Sequence, residues 1–390
     1  MPSPMEPTVA VDFGTSTILV AVRRGLDDPD PTIPIGKTTP WMPSLIGVDS
    51  HGSYVFGEDC DDLPDSQLCR SIKTRLGAGE ESYEFKLADS SVTTRSIDEM
   101  IEKLFEEALD RARQNADADD RPYLERLRPV HLCCPANWIS EPRRRLGKIA
   151  ERAGLLTSPD EIVDEPIAAG VSWVMGHYAR FGKYPEGNTL VFDYGGGTLD
   201  VAVLKVEHYK GTNEDEADKP EAAGPEITVL SADAHPYAGD ELDEQIFRNL
   251  EARLKNASWS GGRSDAEIEQ LIRRAARRLK HSLSETEEAS VPIPGLEEPV
   301  RYTQTELKRA FKPQLEDAMR FVFHVIGASL ARVEGASYGR IRELGRSPLA
   351  GVVDHLLLAG GMSRIPLVRT ELERALRPRG RRPTTREEGN

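Results

Sequence analysis

The amino-acid sequence predicts an α/β chain built from two related halves, and three observations carry that prediction. Residues 8–22 read TVAVDFGTSTILVAV, an apolar strand, an aspartate, a Gly/Thr/Ser turn and a second apolar strand. Residues 190–206, LVFDYGGGTLDVAVLKV, repeat the arrangement. Laying Asp12 on Asp193 puts Gly14 on Gly195, Thr17 on Thr198 and Val20-Ala21-Val22 on Val201-Ala202-Val203. Third, strand-like and helix-like segments follow each other through the rest of the chain. Such a turn exposes backbone N–H groups that hold phosphate oxygens. An aspartate cannot bind phosphate directly but suits a hydrated Mg²⁺ between them. One hairpin is a weak signal, because a structural turn explains it as well. Two copies, roughly half a chain apart, predict a duplicated fold closing on a nucleotide from both sides.

After the first hairpin, residues 44–58 read as another, with a Gly-containing turn. Residues 97–115 predict a helix with Ile97, Ile101, Leu104, Phe105, Ala108 and Leu109 on one face. A strand follows at 129–134, then helices around 140–153 and 165–181. Beyond the second hairpin, the acidic, Gly/Pro-containing stretch 207–225 reads as an exposed loop. Helices are expected near 240–255 and 264–284, with either one more over 303–333 or two divided at Pro313. VVDHLLLAGG reads as a buried strand entering a glycine turn, and 366–377 as a helix. The tail, RPRGRRPTTREEGN, has no apolar content and is expected to be disordered. Its five arginines fit a solvated tail better than an acidic partner.

At 390 residues the chain has length for two or more domains, with 38% hydrophobic and 29% charged residues. A net charge of −15 argues against a nucleic-acid or anionic-membrane surface. No secretory leader or membrane-spanning run is read, so the cytoplasm is the expected compartment. Cys60, Cys69, Cys133 and Cys134 form no metal-ligand spacing or disulfide framework, and Cys133-Cys134 read as strand core.

The order of these segments resembles the nucleotide-binding domain of the seventy-kilodalton heat-shock chaperone family, in the actin-like ATPase superfamily. DFGTST looks like its first phosphate loop and DYGGGTLD its second. TTPWMPSLIGVDSHGSYVFGEDC resembles the family segment with a Pro-Ser pair and a following Gly-Glu. CPANWISEPRRRLGKIAERAGL and VDEPIAAGVSW resemble the two connecting elements, and LLAGGMSRIPLVRTEL the adenosine motif. The resemblance implies a two-lobed, ribonuclease-H-like fold with a central nucleotide cleft. Lobe I would be 1–186, with 39–121 its outer subdomain. Lobe II would be 187–378, with 237–313 its outer subdomain, before a disordered 379–390.

It also implies roles. Gly14, Thr15, Ser16 and Thr17, with Gly195, Gly196, Gly197 and Thr198, would cradle phosphate. Lys73, in CRSIKTRLG, would neutralise charge at the γ-phosphate, although a lone lysine is usually a solvated surface charge. Glu165 would order waters around Mg²⁺ and the nucleophile; at a helix start it also suits the helix dipole. Asp12, Asp193, Glu165 and Asp200 would serve the metal, with K⁺ as a further ion. Lys73, Glu165, Asp193 and Thr198 would make up the hydrolytic set. Lys280 and Ser284 would contact ribose, and His281 would lie near adenine. Arg277 stands where the family carries glutamate, and His281 where it often carries arginine. Asp240, Arg277, Gly360, Gly361, Ser363 and Arg364 complete the nucleotide set, with Arg364 stacking on the base. Arg143 and Pro135 match family elements that relay nucleotide state, against a basic helix face of Arg143, Arg144 and Arg145.

The resemblance ends at the Arg/Pro tail. The family's closing segment, apolar linker and β-rich peptide-binding domain are not read in the chain, so peptide clamping is not expected. The expected function is Mg²⁺-dependent ATP binding and slow hydrolysis by a monomer, with a co-chaperone or nucleotide-exchange factor as partner. An actin-like filament protein and a binding-only pseudo-ATPase are the alternatives. A sugar or acetate kinase would need a catalytic base and acceptor pocket that the sequence does not reveal.

Overall fold

The computed structural model describes residues 7–25, 31–87, 89–125, 130–155, 162–208, 224–335, 337, 339, 341, 346–376 and 384–387. The chain divides into two compact units, Met1–Pro185 and Glu186–Asn390. Each carries one of the two hairpins in its central sheet.

In the first unit, Thr8–Phe13 pairs antiparallel with Thr17–Arg23, Asp12 facing Leu19 and Phe13 facing Ile18. On its other side the same strand runs parallel to Val130–Cys134, which runs parallel to Ile162–Asp164. Three parallel strands therefore end together, and their ends carry Asp12, Cys133-Cys134 and Asp164 before Glu165. Ligands in open α/β sheets gather at such carboxyl ends. Helix Ile97–Asn115 packs its predicted apolar face into this core, where Phe105 meets the Phe13 ring edge-on at 5.1 Å. The 44–58 hairpin forms, Ile46–Val48 against Tyr54–Phe56. A further hairpin, Ser82–Lys86 with Val92–Ser96, was not legible beforehand because its alternating positions are mostly exposed polar residues.

In the second unit, Gly187–Tyr194 pairs antiparallel with Leu199–His208 and parallel with His355–Ala359. Leu199–His208 in turn pairs with Pro225–His235. Most of the predicted 207–225 loop, residues 209–223, lies outside the described residues. Helices Gly239–Leu254, Asp265–Ser282 and Gln304–Glu334 cover this sheet and share one core with it.

Of the one or two helices expected over 303–333, one forms, and Gln304–Glu334 runs through Pro313. Its start is fixed by a capping box between Thr303 and Glu306, and buried residues from Leu307 to Ser329 hold it on both sides of the proline. That packing outweighs the roughly 3 kcal/mol a proline costs inside a helix. The tail, expected to be disordered, is not wholly without structure. Thr384–Glu387 adds a fifth strand, parallel to His355–Ala359, at the edge of the second sheet. Backbone pairing on an open sheet edge does not depend on the apolar content whose lack had implied disorder.

Phe105 is fully buried, so Phe105→Ala is expected to lower the stability of the first unit by about 3–5 kcal/mol. Urea unfolding of the purified chain measures this, and a loss under about 1 kcal/mol would contradict the packing described.

Candidate nucleotide site

The two hairpin turns close in the same way. In the first, Gly14 N–H donates to the Thr17 carbonyl at 2.9 Å; in the second, Gly195 N–H donates to Thr198 at 3.0 Å. The sequence repeat is thus also a geometric one. Each turn is also held from behind through its carbonyls. Ser44 donates its Oγ to the Gly14 carbonyl and its N–H to the Ser16 carbonyl, both at 2.9 Å. In the second unit, Gly239 N–H donates to the Gly195 carbonyl at 3.2 Å and Asp240 N–H to the Gly196 carbonyl at 2.8 Å. In a planar trans peptide the C=O of one residue and the N–H of the next point opposite ways. Fixing the carbonyls of Gly14 and Ser16 therefore aims the N–H groups of Thr15 and Thr17 away from Ser44. Fixing Gly195 and Gly196 aims the N–H groups of Gly196 and Gly197 away from the Gly239 helix. These are the donors a phosphate would use.

In the first unit the structure brings Lys73, Glu165 and Asp12 together. Lys73 lies on the short helix Ile72–Gly77, which starts from Ser71 in a left-handed conformation (φ 53°, ψ 39°). Non-glycine residues rarely adopt this conformation. The ammonium is only 2% exposed and forms an ion pair with the Glu165 carboxylate, so the solvated-lysine reading does not hold. It also lies over the Phe13 ring, 5.8 Å from its centre. Asp12 reaches solvent at its strand end yet sits deep among protein atoms. That desolvation raises its carboxyl pKa, with the Lys73 charge pulling the other way.

Cys133 belongs to this group as well, partly exposed rather than core as its sequence context implied. Burial drives its thiol pKa well up, and the negative charges of Asp12 and Glu165 add to this. The thiol stays protonated at neutral pH. Only the pairing of its strand with its two neighbours reveals this position, and a single sequence does not carry that information.

Arg143, Arg144 and Arg145 of the Glu141–Arg152 helix do not form a common basic face. Arg143 donates to the Ile162 carbonyl at 2.9 Å and pairs with Asp164. Arg144 pairs with Glu141 at the surface, and Arg145 with Asp98 at 2.6 Å. Arg143 thus holds the strand end that leads into Glu165. Pro135 is buried after the Cys134 strand.

In the second unit, Asp193 is partly exposed at its strand end and faces Asp200 across the hairpin. Asp200 is 1% exposed, so of the two it is Asp193 that remains accessible to an ion. Thr198 is partly exposed and Gly197 buried. Gly360 (φ 78°) presses on this turn: a Cβ there would lie 2.4 Å from the Tyr194 carbonyl and 2.5 Å from Asp193 Oδ1. Its lack of a side chain lets the backbone approach the second hairpin this closely. Gly361 opens a single turn to Arg364 in which Ser363 is buried and Arg364 exposed.

Lys280 is mostly buried, donating to the Gly239 carbonyl at 3.0 Å and pairing with Asp243 at 2.9 Å. It therefore braces the helix behind the second turn. Ser284 lies past the end of the Asp265–Ser282 helix, its hydroxyl on the Lys280 carbonyl at 3.3 Å. His281 is exposed, yet desolvation lowers its pKa, reinforced by the positive charges of Lys280 and Arg277.

The donor chemistry at the two strand ends is hard oxygen, which suits Mg²⁺. Among the described residues no group of three or more His, Cys, Asp or Glu is arranged to hold a metal. Asp12 in the first unit and Asp193 in the second are the carboxylates at those strand ends that reach solvent. No described helix is long and apolar enough to cross a membrane.

The model of the Hsp70 protein family matches residues 109–386. Among curated proteins, the chain is 24% identical over 377 residues to the chaperone protein DnaK of Thermosipho melanesiensis, covering 94% of this chain and 55% of the relative. DnaK of Thermosipho africanus is 24% identical over 378 residues, covering 94% and 54%. DnaK of Thermotoga maritima is 24% identical over 377 residues, covering 93% and 54%. The chain spans about half the length of the curated relatives it matches.

Gly360→Ala is expected to cost about 1–3 kcal/mol of stability, from its backbone conformation and from the collision with Asp193 and Tyr194. Gly361→Ala, which has open space around it, is the control and should stay within about 0.5 kcal/mol of the parent. Equal urea midpoints for the two variants would refute the close approach.

Proposed function

The chain belongs to the Hsp70 family, whose members are ATPases, and on that premise we propose that it binds ATP with Mg²⁺ and hydrolyses it slowly. The observation that carries this is the pair of matching turns, each with an aspartate at its strand end and its N–H donors aimed by tethered carbonyls. Gly196, Gly197, Thr15 and Thr17 supply ground-state grip on phosphate. Mg²⁺ supplies charge neutralisation of the phosphate oxygens when bound. Asp12 is the carboxylate that the first unit offers to such an ion and Asp193 the one that the second offers, while Asp200 supports the second strand pair from its buried position. Lys73 stabilises charge developing on the transferred phosphoryl group, and Glu165 orients both the ammonium and the attacking water. Lys280, Ser284, His281, Arg277, Asp240, Ser363 and Arg364 form the nucleoside side. Nucleotide state is read by a co-chaperone or exchange factor, with Arg143 and Pro135 on the relay. The protein works as a monomer in the cytoplasm. Isothermal titration with ATP and ADP, with and without Mg²⁺, followed by phosphate release over hours, tests the reading as a whole; absence of any nucleotide binding would end it.

Two substitutions separate the roles. Asp193→Asn is expected to weaken Mg·ATP binding far more than metal-free nucleotide binding, because its carboxylate acts through the ion. An equal loss in both titrations removes that role.

Lys73→Ala should leave ATP affinity within a modest factor while slowing hydrolysis by about 10²–10³, the usual loss for a transition-state contact of this kind. Single-turnover phosphate release at saturating Mg·ATP measures it. Unchanged turnover would make the Lys73–Glu165 pair purely structural. A parent chain that binds ATP and releases no phosphate is a binding-only member of the family.

A further inference from the structure

We propose that Gln314 is a positioning residue for the second phosphate turn, acting through Tyr194 and Ala238; the proposal rests on the ATP-binding reading of that turn. The Gln314 Nε2 donates to the Ala238 carbonyl at 2.7 Å and to the Tyr194 hydroxyl at 2.9 Å. A backbone carbonyl only accepts, so the amide end facing Ala238 is the NH₂, and its second proton falls to Tyr194.

Both acceptors flank the turn. Tyr194 is the last residue of the strand entering Gly195-Gly196-Gly197, and its ring is fully buried. Ala238 is the residue before Gly239, whose N–H, with that of Asp240, fixes the Gly195 and Gly196 carbonyls. Ala238 has a non-helical backbone (φ −140°, ψ −133°), and no side chain caps the helix that starts after it. The entry to that helix is instead held from outside, by Gln314 on the Ala238 carbonyl and Lys280 on the Gly239 carbonyl.

Gln314 is itself well placed. Its helix neighbours Phe311 and Leu315 are buried, and Phe311 lies 6.1 Å from the Tyr194 ring. One amide thus ties the strand before the turn to the helix behind it. Its consequence is the direction of the Gly196 and Gly197 N–H groups. Without it, the Ala238 carbonyl keeps only the bond from Leu242 N–H at 3.3 Å, and the Gly239 and Asp240 donors lose alignment on the turn.

The test uses Gln314→Leu, Tyr194→Phe and the double variant in the full chain. Amide residual dipolar couplings of Gly196 and Gly197, in nucleotide-free ¹⁵N-labelled protein, read the aim of the donors directly. Calorimetric ATP affinity reads the consequence. Gln314→Leu is expected to reorient both amides, leave Thr15 in the first unit unchanged, and weaken ATP binding about tenfold. Tyr194→Phe should do the same to a smaller degree, and the double variant should fall short of the sum, since the two side chains share one bond. Unmoved Gly196 and Gly197 couplings in folded Gln314→Leu overturn the proposal. Should that variant fail to fold, Gln314→Met, which keeps the unbranched shape and loses both donors, carries the same test, and unmoved couplings in it are equally decisive. If the parent chain binds no ATP, the ATP reading falls while the couplings still decide what Gln314 does.

Discussion

The tethering of four backbone carbonyls is the constraint on which the rest of the candidate site depends. A glycine-rich turn is permissive by nature, and left alone its N–H groups would point in many directions. Here each turn is closed by one hydrogen bond across its mouth and pinned by two more from behind. The two units reach this by different means. A serine from a neighbouring loop serves the first turn, and the start of a helix serves the second. Donors fixed in advance lose little freedom when an anion arrives, which is what makes such turns useful for phosphate.

Charge is distributed unequally around these turns. The first unit places a nearly buried ammonium against a carboxylate, with a second carboxylate close by. Burying such a pair costs desolvation energy that the attraction does not always recover, so pairs of this kind are weak evidence for stability. Their position at the ends of three parallel strands fits function better than fold maintenance. Arg143 is consistent with this. Its pairing with Asp164 leaves that residue's carboxylate unused as a cap for the helix beginning at Glu165.

Much of this was legible in the sequence, and the pattern of what was not is physical. The paired hairpins could be read because their signal is local: strand alternation, an aspartate and a glycine turn within a few residues. The Ile97–Asn115 helix could be read from its period alone. The family resemblance supplied Lys73 and Glu165, which no local pattern would have joined across the intervening chain. Pro313 left one helix or two open because propensity alone does not weigh the buried faces on either side of it. The tail misled because composition says little about backbone pairing at a sheet edge. The Ser44, Gln314 and Lys280 bonds were invisible for a single reason. Each depends on a side chain meeting a carbonyl far away in sequence, and any residue can offer a carbonyl.

Lys280 shows how scaffold and ligand roles merge. The resemblance assigned it to ribose, and the structure occupies it with the Gly239 carbonyl and Asp243. An ammonium has three donors, so two internal bonds leave one for a ligand hydroxyl. The two roles are therefore compatible, and they are coupled. A ligand that draws on Lys280 pulls on the carbonyl beside the N–H that orients Gly195. Contact on the nucleoside side would in this way be felt at the phosphate turn through a single peptide. The pKa of His281, lowered chiefly by desolvation and further by Lys280 and Arg277, keeps that neighbour neutral, so positive charge there concentrates on Arg277 and Lys280. Replacing Lys280 would then remove a ligand contact and loosen the turn together, which is why Gln314, which carries no proposed ligand contact, isolates the positioning effect more cleanly.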